Sequence, residues 1–384
     1  MCQLTLDWIR CQRSLAAALR LMHPWGALLE NLEAASAAGA GVDEGPPTPL
    51  ASDILPMREE LLVTMPSRRS RALSLVISTA LFLGGVMTTP ASTQEMQKLR
   101  LGTATPGGGF PVYGAAFIAA VTEADPGLAI EAINTKGSTE NIPMLEAGRL
   151  DIALVQGEVV HESLTGVGRP PANLKIITAM YSTPGMFVVR ADSPYRSIAD
   201  LKGKPVAFGA AGSGLVILAR YVLDGLGLDQ NKDFAAIYLE RAGDGPAMVM
   251  DGRAAALWGG GSGWPGFTGE KGARFIVPDK DEIARILAKH AFLKPLTLAV
   301  GMFPGQDAAI ASVGSWSFVM CRPDLDEAVA YRLAKAVHQG EAAIAAKLPQ
   351  AAETTARNTA AAVAVPEMLH PGVARYLREA GLAK

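Results

Sequence analysis

From residue 99 to residue 156 short apolar runs alternate with polar, glycine-marked breaks and with stretches long enough for a helix. Residues 99–101 are apolar and stop at Gly102, and residues 103–114 form a glycine-rich turn leading into a helical segment. A second apolar run, residues 128–133, precedes a turn at residues 135–141 that carries Gly137 and Ser138. The helix after it closes at Ala147-Gly148-Arg149, and residues 150–156 read as a third strand ending on the amide of Gln156. Strand, turn and helix repeated in this order predict parallel α/β units. In such units the strand-to-helix turns gather at the carboxyl ends of the strands, where ligands bind. Each turn offers unpaired N–H groups and the positive end of a helix dipole, a natural seat for a carboxylate.

The rest of the chain extends the pattern. Residues 174–180 and 186–190 read as strands around a turn at Tyr181-Ser182-Thr183-Pro184-Gly185. Ser197 is placed to cap one helical turn ending at Gly203, and residues 205–208 form the next strand. Residues 209–264 then repeat the plan of the first half. The nest Gly209-Ala210-Ala211-Gly212-Ser213-Gly214 opens a helix over 215–226. A strand over 235–239, a helix over 244–250 and Asp251-Gly252-Arg253 follow. The strand at 254–258 parallels the one after Gly148-Arg149, and a Gly- and Trp-rich loop runs from Trp258 to Phe267. A strand is expected over 274–277, a helix over 281–290 and a strand over 313–320, with Trp316 either at the cleft or in the core. Val329, Leu333 and Val337 share one face of a helix over 325–341, and shorter helices are expected over 342–348 and 351–356. Two similar halves with facing turns predict a hinged, two-lobed α/β fold that closes on a small ligand. The chain is expected to cross between lobes near residues 189–193 and back near residues 296–303. Lobe I is then 98–190 plus 297–384, and lobe II is 191–296.

The first 93 residues read differently. Residues 34–41 are of low complexity, and Gly45-Pro46-Pro47-Thr48-Pro49 is a breaker typical of linkers. Arg68-Arg69-Ser70-Arg71 is a basic n-region, residues 72–87 an apolar h-region, and residues 88–93 small and polar. Residues 65–93 therefore read as a secretory signal peptide, whose apolar core of about 16 residues is shorter than a membrane span. Translation is expected to start at Met65 or Met57, leaving residues 1–64 as a disordered or mis-assigned extension. The alternative is an uncleaved signal anchor with a cytoplasmic tail.

Composition narrows the classes further. Removing residues 1–93 takes Lys+Arg from 35 to 28 and Asp+Glu from 37 to 29, a net charge of −1 that argues against a nucleic-acid surface. Cys2 and Cys11 leave with the prefix, so Cys321 has no partner for an internal disulfide. A mature protein that is not membrane-embedded, and monomeric, is expected.

Three blocks carry a family resemblance: Gly102 to Gly114, Gly137-Ser138-Thr139-Glu140-Asn141, and residues 147–156. In order and spacing they resemble TAXI-family solute receptors, the periplasmic binding proteins of one class of TRAP transporter. The segment Leu369-His370-Pro371-Gly372 through Gly381 resembles the C-terminus of the same family, whose last helix packs on the first lobe. Leu215 stands where many relatives carry Thr, and Ala254 where they often carry Asp. The resemblance implies a type II-like, Venus-flytrap fold and a small organic-acid ligand, glutamate-like or dicarboxylate. It also implies delivery to a TRAP permease in the membrane, with no cofactor and no metal.

The candidate ligand residues are Thr103, Thr105, Gly108, Tyr113, Ser138, Asn141, Gln156 and Tyr181, with Gly212, Ser213, Gly214 and Trp258 facing them from lobe II. Several have a plainer alternative: turn residues for Thr103 and Thr105, a helix cap for Ser138, packing on the first helix for Tyr113, a lobe-surface role for Trp258. Trp264 is a further candidate wall, and Arg190 and Arg241 could pair a second carboxylate or stay solvated. His161 and His290 lie in no cluster with metal-ligand spacing. Neither a P-loop, a dinucleotide fingerprint nor a nucleophile elbow occurs, so the reading is a binding protein and not an enzyme. An enzyme on the same two-lobed fold, or a receptor serving an ABC importer or a sensor kinase, are the alternatives. N-terminal sequencing of the native protein is expected to find a terminus near residue 90–95; recovery of a Met1 peptide would overturn the signal-peptide reading.

Overall fold

The computed structural model describes residues 97–259, 272–303, 306–363 and 365–383. The signal segment, the extension before it, Trp264 and Phe267 lie outside the described residues.

Lobe I begins as the hydrophobic pattern requires. Strand β1 (Gln97–Gly102), helix α1 (Gly109–Ala124), strand β2 (Leu128–Ile133), helix α2 (Ser138–Glu146) and strand β3 (Ile152–Gln156) follow in order. β1 pairs in parallel with β2 on one edge and β3 on the other. Every residue of β3 is buried, as expected for a central strand covered on both faces. Helix α3 (Gly157–Thr165) starts directly at the end of β3, and strand β4 (Lys175–Pro184) follows.

The segment Tyr181–Pro184 is not a turn. It completes β4, because strand β11 (Ile310–Cys321) pairs with it as far as Pro184, opposite Gly314. Composition typical of a turn gives way where a partner strand supplies the ladder. The next strand, β5 (Met186–Arg190), belongs to the other sheet. The chain therefore leaves lobe I at Gly185, earlier than the expected residues 189–193.

Lobe II repeats the topology. Strand β6 (Pro205–Ala210), helix α4 (Gly214–Gly225), strand β7 (Ala235–Leu239), helix α5 (Gly245–Met250) and strand β8 (Ala256–Gly259) give a parallel β7-β6-β8 core. β5 joins β8 antiparallel and is flanked by strand β9 (Ala273–Ile276). The order β2-β1-β3 with antiparallel β11 in lobe I thus matches β7-β6-β8 with antiparallel β5 in lobe II. In each lobe the fourth strand adjoins a passage between lobes.

Helix α6 (Lys280–Lys289) opens with a full capping box, Asp279 with Glu282, and strand β10 (Lys294–Leu298) follows. Leu298 and Phe303 pack in a lobe II cluster with Met186 and Leu257, and Val313 packs beside Phe187 and Trp258. β10 pairs antiparallel with the start of β11, Lys294 opposite Gly314 and Leu298 opposite Ile310, so the chain rejoins the first sheet over residues 294–298, at the edge of the expected 296–303, and β11 carries it on into lobe I past Gly314. Beyond it the expected helices over 325–341 and 342–348 are one helix, α7 (Glu327–Lys347), with no breaker between them. A helical turn over Pro349–Glu353 leads to helix α8 (Ala356–Ala362), and helix α9 (Pro371–Glu379) packs on α7.

The two passages touch. The Gly185 N–H donates to the Val313 carbonyl at 2.8 Å, and Ser312 Oγ donates to the Gly185 carbonyl. A Cβ at residue 185 would lie 2.5 Å from Cη2 of the buried Trp258 ring. Gly185→Ala is expected to lower unfolding free energy by about 1–3 kcal/mol through overpacking. Urea denaturation checks this, and unchanged stability would mean the ring does not sit over this backbone.

Candidate functional site

A cavity of about 90 Å³ lies between the lobes at the carboxyl ends of the parallel strands. Its volume suits a small molecule and not a polymer. Four helices present their N-terminal residues to it. The cap residues are Gly108 for α1, Gly137 for α2, Gln156 for α3 and Ser213 for α4, and all four line the cavity. The N–H groups of Gly109, Phe110, Ser138 and Gly214 lie in first helical turns, so they have no acceptor within their own helices.

Local sequence explains how these ends are held. Gly137 has φ of 116°, which a side chain would strain, and it lets the chain turn sharply into α2. Thr135 Oγ1 accepts from the Gly137 N–H at 3.1 Å and donates to the Thr103 carbonyl at 3.1 Å. Ser138 is fully buried and does not cap its own helix. Its hydroxyl accepts from the Gln156 N–H at 3.1 Å, which ties the start of α2 to the end of β3. Its own proton is left to donate. Ser213 caps α4 by accepting from the Leu215 N–H at 3.2 Å.

The lobes meet through backbone. The Gly212 carbonyl accepts from Thr139 Oγ1 at 2.9 Å and from the Thr139 N–H at 3.2 Å. Thr105 Oγ1 accepts from the Ala242 N–H at 3.2 Å. A Cβ on Gly107 would lie 2.6 Å from Gly243 Cα, and one on Gly214 would lie 2.5 Å from Gln156 Cβ. Farther out, Arg220 and Tyr221 of α4 both reach Glu162 of α3, and His161 stacks on Phe292 at 4.1 Å.

Of the sequence-derived candidates, Thr105, Gly108, Ser138, Gln156, Tyr181, Ser213 and Trp258 line the cavity. Gly212 and Gly214 make the lobe-to-lobe contact beside it. Three candidates lie outside the lining. Tyr113 is fully buried between Phe117 and Tyr181, and its hydroxyl accepts from Thr354. Thr103 donates to the Ile133 carbonyl at 3.1 Å. Asn141 Nδ2 donates to the Thr103 and Leu154 carbonyls at 2.9 and 2.8 Å, locking the first turn to β3. These residues hold the strand ends together and do not face the cavity.

Arg190 is exposed and pairs with Asp192; Arg241 is also exposed, and neither lines the cavity. Trp316 packs partly buried against the lobe I core. His290 hydrogen-bonds Asp224 at 2.7 Å, and among the described residues no group of three or more His, Cys, Asp or Glu converges. Sequence reasoning missed the apolar wall of Phe110, Leu215 and Leu257, and Thr183. Leu215 had already stood out as a departure from the family pattern.

It also missed Glu158. This carboxyl is fully buried in the first turn of α3, and neither oxygen has a hydrogen-bond partner. Gln156 Nε2 is buried and unpartnered as well. Burial pushes the Glu158 carboxyl from the ordinary 4.5 to about 7, against the pull of Ser315 and Gln156 nearby, with the Glu162 charge adding to the rise.

Two lobes of mixed α/β structure, two strand passages and a ligand-sized cleft define the fold of the periplasmic binding proteins. The chain belongs to the NMT1-like family, whose model matches residues 101–381. Among solved structures it is similar to a protein of Bordetella bronchiseptica RB50, at 14% identity over 75% of this chain and 99% of that one, with a TM-score of 0.50. It is also similar to the alkanesulfonate-binding protein SsuA from Xanthomonas axonopodis pv. citri bound to MOPS, at 18% identity over 74% and 84% of the two chains, with a TM-score of 0.45. A TctC solute binding protein from Polaromonas is 17% identical over 70% and 91%, with a TM-score of 0.41.

The Glu158 carboxyl gives a pH prediction. Below about pH 4.5 folded and unfolded chains both hold this proton; from there to about 7 only the folded chain does. Its contribution is thus full on the acid side and lost as pH rises through about 7, a change of about 3 kcal/mol. His161, whose charged form is disfavoured by burial, acts in the opposite sense. Urea denaturation at pH 5 and pH 8 is expected to show that Glu158→Gln gains stability relative to the wild type at the higher pH. Equal pH slopes for the two proteins would mean that Glu158 is ionised in the fold.

Proposed function

We propose that this protein is a periplasmic solute receptor that captures a small organic acid between its lobes and passes it to a membrane permease. The observation that carries this reading is the convergence of four helix N-termini and the unpartnered Gln156 amide on one interlobe cavity. Each helix end offers roughly half a positive charge, fixed in place with no counter-charge in the lining. A carboxylate there is bound by preorganised N–H groups and by the hydroxyls of Ser138 and Thr105.

The TAXI resemblance supports a TRAP permease as the partner, and the signal-peptide pattern of residues 65–93 supports export. Among the described residues no helix is long and apolar enough to cross a membrane. The two lobes move as bodies about Gly185 and Gly314, and the ligand is held when Gly212–Gly214 seat on Gly137, Ser138 and Gln156.

The test is a thermal-shift screen of unfolded and refolded protein against amino acids, dicarboxylates and keto acids. A ligand of the native state raises the melting temperature with concentration over Kd. A rise for one acid class supports the reading, and a folded protein that responds to no acid overturns it. Gly214→Ala is expected to weaken binding of the responding acid roughly tenfold or more, about 1.4 kcal/mol, because the added Cβ props the lobes apart. Calorimetry with unchanged affinity would remove this contact from the closing step.

A further inference from the structure

The cavity is uneven in its charges. Four helix ends make it electropositive, yet none of its described lining residues is Asp or Glu. Lys136 is the one charged residue of that lining, and it is solvent-exposed, with its backbone and Cβ against Gly212. Tyr181, Ser138 and Thr183 add neutral polar groups, and Phe110, Leu215, Leu257 and Trp258 add apolar surface. Four acids stand two residues along the chain from a lining position, Glu140 beyond Ser138, Glu158 beyond Gln156, and Glu240 and Asp244 on either side of Ala242, and none of them lines the cavity. Glu140 accepts from the Lys136 N–H at 2.6 Å, Glu240 and Asp244 are exposed, and Glu158 is packed toward Ser315.

An α-amino acid brings two charges into such a cleft. Its carboxylate meets the helix ends, but its ammonium meets the same positive potential with no carboxylate in the lining to pair with. A buried charge without a partner is among the costliest arrangements in a protein. Glu158 does not rescue it, since burial keeps that carboxyl largely protonated up to about pH 7.

We infer that the cleft selects acids that lack an ammonium group and rejects the corresponding α-amino acids. Simple, hydroxy or oxo acids fit the charge pattern, and the glutamate-like ligand expected from the family resemblance does not. The inference rests on the reading of the cleft as an organic-acid receptor.

Matched pairs that differ only by the ammonium group test it, whatever the size or number of carboxylates preferred. The pairs are propanoate and L-alanine, 4-methylpentanoate and L-leucine, and pentanedioate and L-glutamate. Each is titrated calorimetrically into refolded full-length protein at pH 6.5. In every pair that binds, the ammonium-free member is expected to bind roughly 100-fold tighter. An amino acid that binds as tightly as its partner, or more tightly, overturns the inference and leaves the acid-receptor reading standing. If no member of any pair binds to protein that circular dichroism finds folded, the acid-receptor reading fails and the inference falls with it.

Discussion

Backbone meeting backbone across the cleft is the constraint on which the rest depends. Gly107 faces Gly243, Gly212 faces Lys136, and Gly214 faces Gln156, each at a distance that leaves no room for a side chain. Because nothing stands between the lobes there, the N-termini of α1 and α2 from one lobe and α4 from the other point into the same small volume. A single methyl group at these positions would separate the helix ends and dilute the field they share. The glycines are therefore electrostatic as much as conformational in their effect.

The polar residues around that volume divide into two layers. Thr135, Thr103 and Asn141 bond to each other's backbone and to β3, fixing where the strands end. Ser138, Gln156, Thr105 and Ser213 sit on that frame and line the cavity. The second layer is positioned by the first, since Asn141 and Ser138 on one helix both bond to the end of β3. Beneath them Glu158 is a cost accepted by the fold: an acid fully buried near Ser315 and Gln156, with its charged form disfavoured by burial.

Much of this was legible in the sequence. The strand-nest-helix blocks and the repeat of the plan in lobe II follow from apolar periodicity and glycine placement, and the return of the C-terminal helix to lobe I follows from the family resemblance of residues 369–381. The cavity-lining set was legible in part. Residues at the end of a parallel strand look alike on paper whether they face a ligand or a neighbouring strand, which is why Tyr113, Thr103 and Asn141 were grouped with Ser138 and Gln156. The apolar wall was hidden because Leu215 and Leu257 read as ordinary core. The position of the first lobe passage was hidden because Tyr181–Pro184 has turn composition, and only the distant β11 makes it a strand. Glu158 carried no signal, since an acid in the first turn of a helix is normally a surface residue favoured by the dipole.

The paired passages have a mechanical consequence. β4 continues into β5 through one residue, β11 runs unbroken beside it, and hydrogen bonds link the two at Gly185, Ser312 and Val313. Such a ribbon, with β10 paired on the outer edge of β11 at Ser312, Val313 and Gly314, resists sliding, because sliding breaks its rungs, while a narrow sheet of this kind still takes up twist. Opening would then follow a single rotational coordinate and not a loose swing on two independent loops. The torque opposing it would reside in Gly185, Ser312 and Val313, none of which lines the cavity. Stiffness and selectivity are thereby encoded in separate residues, so one can drift while the other is kept.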